Sequence, residues 1–383
     1  MFKAGIIGIG YIGPVHIEAL RRIGNVEVVA VTHSSEESTK EKARLLGIPK
    51  AYGDYRDLIN DPEIDVVHIC TPNHLHYIQA KEALLAGKHV LCEKPLAMNS
   101  DEARELVSLG KEKNLICAVH FNIRFYPLVS QARNMVMGGD LGRILAINGS
   151  YQQDWLFYET DYNWRLEPEF SGDSRAVADI GSHWFDAVEY VTGLKAEKVC
   201  ADFSTFHPIR KKPLKPLETF SGKLLSPEDY AEIQVGTEDY ASVLIRFSGG
   251  ARGSFTANQV AAGRKNRFYF EIYGDKAALA FDGENPNELW VGYRHKNNEI
   301  IIKDPSLVYP GSREIMCFPG GHAEGYSETS KQMFRKVYGY IGDSGGKKDA
   351  EAEFPTFDAG LRGLTICEAI LKSAQSDSWQ IVL

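Results

Sequence analysis

Along its first 120 residues the chain alternates short apolar runs with stretches of helical period. The apolar runs lie at Lys3–Ile9, Val26–Thr32, Val66–Cys70, His89–Cys92 and Ile116–Phe121. Between them, Pro14–Arg22, Ser35–Leu46, His74–Ala86 and Ser100–Lys113 read as helices, the pattern of a parallel sheet with helical crossovers. The punctuation agrees. Pro14 opens the first helix, Asn99 or Ser100 precedes Asp101 and Glu102, and Gly24, Gly47 and Gly87 stand where helices stop.

After about residue 123 the texture changes. Strand-like runs follow one another directly, at Ile144–Gln153, Ala241–Phe247, Gly250–Asn258, Phe268–Tyr273, Ala277–Phe281 and Glu288–Tyr293. Strands without intervening helices predict a mostly antiparallel sheet. The polar stretch from His207 to Asp239 reads as a long surface insertion whose Arg210, Lys211, Lys212 and Lys215 form a solvated face. A Gly/Lys-rich break at Gly342–Lys348 precedes a last helix at about Phe357–Ser373. The expected fold class is α/β, with a parallel-sheet domain over 1–122 and a second α/β domain with an open, mostly antiparallel sheet over 123–383.

Composition narrows the classes. At 383 residues the chain is too long for one ordinary core. A formal charge of −8 argues against nucleic acid or an anionic membrane as the main partner. No apolar run approaches the roughly 20 residues that span a bilayer, and Met1 leads directly into the first strand, leaving no room for a signal peptide. Six cysteines are scattered without metal-finger spacing, so a reduced, cytoplasmic protein is expected.

The chemistry begins at Gly8-Ile9-Gly10-Tyr11-Ile12-Gly13, a GxGxxG between an apolar strand and a helix. There Gly8 permits a tight turn, Gly10 lets backbone approach a pyrophosphate, and Gly13 allows close packing of helix on strand. This predicts a dinucleotide cofactor in a Rossmann domain, held also by Tyr11 and Ile12. After the second strand no acid stands ready for the adenosine ribose and no arginine for a 2′-phosphate; His33, Ser34 and Ser35 occupy the place. Glu36 and Glu37 disfavour a phosphate, which favours NAD, with NADP as the alternative. The turn Thr71-Pro72-Asn73, with His76 beyond it, borders the nicotinamide.

Two further segments carry reactive groups. Glu93-Lys94-Pro95 puts an ammonium at the end of an apolar strand, and Asp179-Ile180-Gly181-Ser182-His183-Trp184-Phe185-Asp186 places Asp179, His183 and Asp186 on one helical face. A hydroxyl being oxidised must lose a proton, for which an imidazole is suited, and a nearby ammonium stabilises the developing alkoxide. No His or Cys pair complements this helix, so no metal is expected. The run Ala86-Gly87-Lys88-His89-Val90-Leu91-Cys92-Glu93-Lys94-Pro95-Leu96-Ala97, with the GxGxxG, the Thr-Pro-Asn turn and the Asp-x-Gly-x-His-x-x-Asp segment in order, resembles the Gfo/Idh/MocA oxidoreductases over essentially the whole chain. The resemblance implies a Rossmann domain followed by an α/β domain whose open sheet mediates dimer or tetramer contacts. It also implies Lys94, Asp179 and His183 as catalytic residues, with Glu93 and Lys94 at the cofactor. The residues alone leave the proton acceptor open between Lys94 and His183; the family pattern favours His183.

Expected substrate contacts come from Lys94, Asp179, His183 and three polar–aromatic stretches carrying Asn122 and Tyr126, Gln153 and Trp155, and His322. Aromatic faces with amide and imidazole groups suit a polyhydroxylated ring. Tyr126, Gln153, Trp155, Arg165 and His322 are similar to the pocket of the family's levoglucosan-dehydrogenase-like branch; Arg165 can instead contact the nicotinamide side. Asp154 and Glu324 argue against a phosphorylated or carboxylated substrate. The reading is an NAD(P)-dependent dehydrogenase acting on a secondary hydroxyl of a sugar, anhydrosugar or cyclitol. The alternatives are a redox-neutral NAD-dependent glycosidase and a non-catalytic sugar sensor.

Overall fold

Six strands make the sheet of the first unit: β1 (Phe2–Ile7), β2 (Val26–Thr32), β3 (Lys50–Tyr52), β4 (Val66–Ile69), β5 (His89–Cys92) and β6 (Cys117–Val119). All pair in parallel, in the order β3-β2-β1-β4-β5-β6. The order reverses between β1 and β4, which opens a crevice at the carboxyl ends of the strands. The crossovers are α1 (Ile12–Ile23), α2 (Glu36–Leu46), α3 (Tyr55–Asn60), α4 (His76–Leu85) and α5 (Ser100–Lys113). Asn99 caps α5 by accepting from the Glu102 amide, and Gly24 and Gly47 end α1 and α2 in left-handed conformation. The computed structural model describes residues 1–215, 227–343 and 351–383. The Gly/Lys-rich break therefore lies mostly outside the described residues.

The first unit comprises Met1–Phe125 and Tyr326–Leu364; the second comprises Tyr126–Gly325 and Thr365–Leu383. Where the sequence suggested one cut after residue 122, the chain re-enters the first unit at Tyr326. The cause is the helix Tyr326–Asp343, whose Met333, Phe334, Val337 and Tyr338 are buried and which packs against α1. Its polar and apolar residues are interleaved, and the sequence reading passed over it.

In the second unit α6 (Pro127–Met137) precedes β7 (Ile144–Gln152); a short α7 (Pro168–Ser171) and a π-helical turn (Val177–Gly181) lead into α8 (Ser182–Thr192). Then follow β8 (Ala196–Ser204), β9 (Ile209–Pro213), β10 (Tyr230–Gln234), β11 (Tyr240–Phe247), β12 (Arg252–Asn258), β13 (Arg267–Gly274), β14 (Ala278–Asp282), β15 (Glu288–Gly292), β16 (Glu299–Ile302) and β17 (Gln380–Ile381). Among the described residues nine strands form one sheet, β16-β15-β14-β13-β7-β12-β11-β8-β17, antiparallel except where β7 meets β12. The segment read as a surface insertion instead builds the antiparallel pair β9–β10 within its described residues, and Arg210, expected in solvent, has no exposed surface. Its partner is a carboxylate 29 positions away, which spacing could not show. Among the described residues no helix is long and apolar enough to cross a membrane.

Helix α8 docks on the sheet through Trp184, fully buried against Phe185 and Phe255, with its indole N–H donating to the Tyr269 carbonyl at 2.9 Å. Gly149 of β7 makes room for it: a Cβ there would lie 2.3 Å from Trp184 Nε1 and 2.4 Å from the Tyr269 oxygen. Gly149→Ala should therefore cost about 1–3 kcal/mol by overpacking, read as a lower urea midpoint at unchanged slope; an unchanged midpoint would show that the indole is not held as described.

Candidate active site

The glycine loop satisfies the steric demands of a dinucleotide cradle. Gly8 adopts φ +91°, and a Cβ there would meet the Cys70 carbonyl at 2.8 Å. A Cβ on Gly13 would lie 2.3 Å from the Gly8 oxygen, whereas one on Gly10 would meet nothing within 4 Å. The loop is closed on its protein side and open at Gly10, and Tyr11 beside it is 58% exposed. The first turn of α1 carries no acid and its N-cap side chain makes no capping bond, which suits an anion at this helix start. These residues fit a dinucleotide pyrophosphate.

At the end of β2 the structure adds a group that the sequence reading missed. Lys42 reaches back from α2 to the Ile9 carbonyl (3.0 Å) and to His33 Nε2 (3.2 Å). Burial, and then the Lys42 charge, lower the His33 pKa. Ser34 is exposed, while Ser35 caps α2 by accepting from the Ser38 amide. Thr71 donates to Gln79, and Asn73 is buried in the turn. The His76 ring is buried too, bridging the Thr71 and Pro95 carbonyls at 2.8 and 2.6 Å. It ties the turn to the Lys94-Pro95 segment rather than presenting a polar edge to a ligand.

Glu93 behaves similarly. Its carboxylate, expected at the cofactor, turns into the unit and accepts from His16 Nε2 (3.0 Å) and His120 Nδ1 (2.5 Å). His16 Nδ1 lies 3.0 Å from His68 Nδ1, His68 Nε2 lies 2.9 Å from the Tyr338 hydroxyl, and His120 Nε2 lies 3.0 Å from Ser330 Oγ. One set of neutral tautomers satisfies the whole chain, each proton pointing towards Glu93. The ligand atoms of His16, Glu93 and His120 lie within 4.8 Å of one another, a composition that can hold a metal. Both imidazoles, however, already share the same oxygen through hydrogen bonds, which account for the cluster. Burial, then the neighbouring His120, brings His16 down to about 4, and burial holds His68 well below its ordinary value. For Glu93 burial acts upward, but His120 and His16 outweigh it and hold the carboxyl well below the usual range. Lys94 follows Glu93 directly, its amide 3.3 Å from Glu93 Oε2.

In the second unit Asp179 sits in the π-helical turn and His183 in α8. The wide turn replaces the simple α-helical alignment expected for Asp179, His183 and Asp186; such turns often mark functional sites. Asp179 Oδ2 accepts from Gln259 Nε2 at 2.9 Å, and Oδ1 lies 3.3 Å from Arg165 Nε. His183 is half-buried, its ring centroid 6.5 Å from that of Tyr151. Arg165 also lies over the Trp164 ring, at 4.5 Å. The start of this helix is capped from far along the chain. Glu238 accepts from Ser174 Oγ and from the amides of Arg175 and Val177, at 2.8 to 3.0 Å. Burial raises the Glu238 pKa against those bonds.

The remaining candidates divide. Gln153 and Trp155 bond each other (2.8 Å) on partly exposed surface, and His322 is exposed. Tyr126 is 5% exposed and tilted on Phe281, and the Asn122 amide is buried on Thr329 at 2.7 Å, so neither presents the open polar group expected of it. The two acids read as pocket charges are both neutralised: Asp154 by Lys265, and the buried Glu324 by Lys303.

The imidazole cluster makes stability depend on pH with a definite sign. Above pH 6.5 it contributes fully; as pH falls from about 6.5 towards 4, the unfolded chain binds protons that folded His16 and His68 refuse. Unfolding free energy should drop by about 1.4 kcal/mol per pH unit for each imidazole in that window, measured by urea titration between pH 7.5 and 5. A flat profile down to pH 5 would refute neutral burial.

Comparison with known proteins agrees with the geometry. Residues 2–121 match the model of an oxidoreductase family with NAD-binding Rossmann fold, and residues 129–280 match the GFO/IDH/MocA C-terminal domain. Levoglucosan dehydrogenase from Pseudarthrobacter phenanthrenivorans is 32% identical over 98% of this chain and 97% of its own. Myo-inositol 2-dehydrogenase from Thermotoga maritima is 28% identical over 88% of each. The solved structure of levoglucosan dehydrogenase in complex with NADH and L-sorbose superposes with a TM-score of 0.89 at 31% identity, covering 100% of this chain and 99% of that one. The chain belongs to the Gfo/Idh/MocA family and is an NAD-dependent oxidoreductase.

Proposed function

We propose that this enzyme oxidises a secondary ring hydroxyl of a sugar, anhydrosugar or cyclitol. The observation that carries the reading is the full-length likeness to levoglucosan dehydrogenase, together with Lys94, Asp179 and His183 in this chain. NAD, when bound, supplies a two-electron hydride acceptor. His183 takes the hydroxyl proton, the role for which an imidazole needs no large pKa shift. The Lys94 ammonium stabilises the alkoxide as charge develops, and the backbone that carries it is fixed by the buried Glu93. Asp179, with donors at both oxygens, is held as a carboxylate that orients the hydroxyl or the imidazole. Gln153, Trp155 and His322 supply amide, aromatic and imidazole surface suited to a polyhydroxylated ring. The outward face of the nine-stranded sheet, with Leu244 55% exposed on β11, is proposed as the self-association surface.

Purified protein with NAD and levoglucosan, xylose or myo-inositol should form NADH, followed by its absorbance. His183→Ala should lower kcat by roughly 10²–10⁴ without loss of NADH binding, and Lys94→Ala should lower kcat comparably. Retained turnover in both variants would sink the assignment.

A further inference from the structure

Asp179 is one end of a hydrogen-bonded line that runs into the interior of the second unit, and the direction of every bond in it can be assigned. Gln259, at the end of β12, has no exposed surface and is anchored by its backbone, its N–H donating to the Asp239 carbonyl at 3.0 Å. Its side-chain oxygen accepts from Arg175 Nη1 at 2.9 Å. A guanidinium can only donate, so the amide of Gln259 has one permitted orientation, with its NH₂ directed at Asp179 Oδ2. Arg175 is itself immobilised: it donates to Thr237 through Nε (3.2 Å) and pairs with buried Asp239 through Nη2. Asp239 also takes Arg210 Nη2 at 2.7 Å and the amides of Phe206 and His207.

We propose that Gln259 is a positioning residue, oriented by Arg175, that holds Asp179 as an ionised hydrogen-bond acceptor in one rotamer. The proposal rests on the catalytic reading of Asp179. The alternative orientation of the amide would set its oxygen against the carboxylate and its NH₂ against the guanidinium, two repulsive contacts at once. The network therefore selects a protonation state as well as a position. Arg165 also stands at Asp179, at Oδ1, and His183 follows along the chain in α8. Arg165 also favours an ionised acceptor, but it is half-buried, stands at the longer distance of 3.3 Å and bonds Asn163 as well, whereas Gln259 is fully buried and fixed by its own partners.

Two variants of the full-length enzyme separate positioning from mere packing. Gln259→Glu keeps the shape and keeps an acceptor for Arg175, so the protein should fold with little change in Tm. It sets a second carboxylate against Asp179, and two such groups cannot both ionise easily. With NAD and levoglucosan, kcat should fall roughly tenfold or more while KM moves less, as expected for a misaligned group. The acid limb of the pH–rate profile should move up by about one unit or more, so that the deficit shrinks as pH rises. Gln259→Leu should lose rate at every pH. In parallel, protein with ¹³C-labelled aspartate carboxyls, its Asp179 signal identified by Asp179→Asn, should show that signal titrating at higher pH in both Gln259 variants. Titration curves and kinetics that superimpose on those of the unaltered enzyme would overturn the proposal. Full activity in Asp179→Asn would overturn the catalytic reading instead. If levoglucosan gives no turnover in the unaltered enzyme, the carboxyl titration alone decides.

Discussion

Glu238 and Asp239 are adjacent buried carboxylates, and the layout of the second unit around the proposed catalytic helix follows from how they are satisfied. An isolated charge in such a place is strongly unfavourable, so every lone pair has to find a donor within the fold. Glu238 takes the amides at the start of the Asp179 helix, which fixes where that helix begins. Asp239 takes two guanidiniums, and burial, which alone would raise its pKa, is outweighed by Arg175 and Arg210, which hold it below the usual carboxylate range. Arg210 in turn donates to the Leu156 and Tyr158 carbonyls, tying β9 to the loop after β7. Removing one partner of such a group typically costs about 3–5 kcal/mol because the charge left behind stays buried.

The first unit solves a similar problem differently. Glu93 ends β5 inside the unit, and its donors are imidazoles rather than guanidiniums. A neutral imidazole brings a donor without bringing charge, so His16 and His68 tolerate complete burial near neutral pH and become unfavourable as acid charges them. Its members come from α1, β4, the end of β6 and the helix Tyr326–Asp343. That single carboxylate thus binds the returning segment to the sheet and fixes the backbone just before Lys94.

The neutralisation of Asp154 and Glu324 bears on specificity. Their charges are met by Lys265 and Lys303, so neither provides a bare negative surface to reject an anionic ligand.

Much of the first unit was legible in the sequence, because a buried parallel strand, a glycine loop and a capped helix are written in contiguous residues. At Gly8 and Gly13 a Cβ would collide with backbone, as the tight turn and close packing implied by their spacing require. The short β3 and α3 escaped notice, having too few residues to show a period. Along Asp179–Asp186 the sequence supplied the candidate reactive groups but implied a regular helix, whereas Asp179 sits in a π turn. Asn122, His76 and Glu93 looked like ligand contacts because they are polar and stand beside motifs; whether a polar side chain faces outward or inward depends on donors elsewhere. The sequence by itself determined the parallel sheet and the cofactor loop, and it singled out Lys94, Asp179 and His183 as candidates, since each is a matter of local pattern or residue type. Only the tertiary structure decided which charges are buried and what holds them, because Gln259, Glu238 and Arg175 reach Asp179 and its helix across 61 to 84 positions of chain or through one another, and no local pattern records such distances.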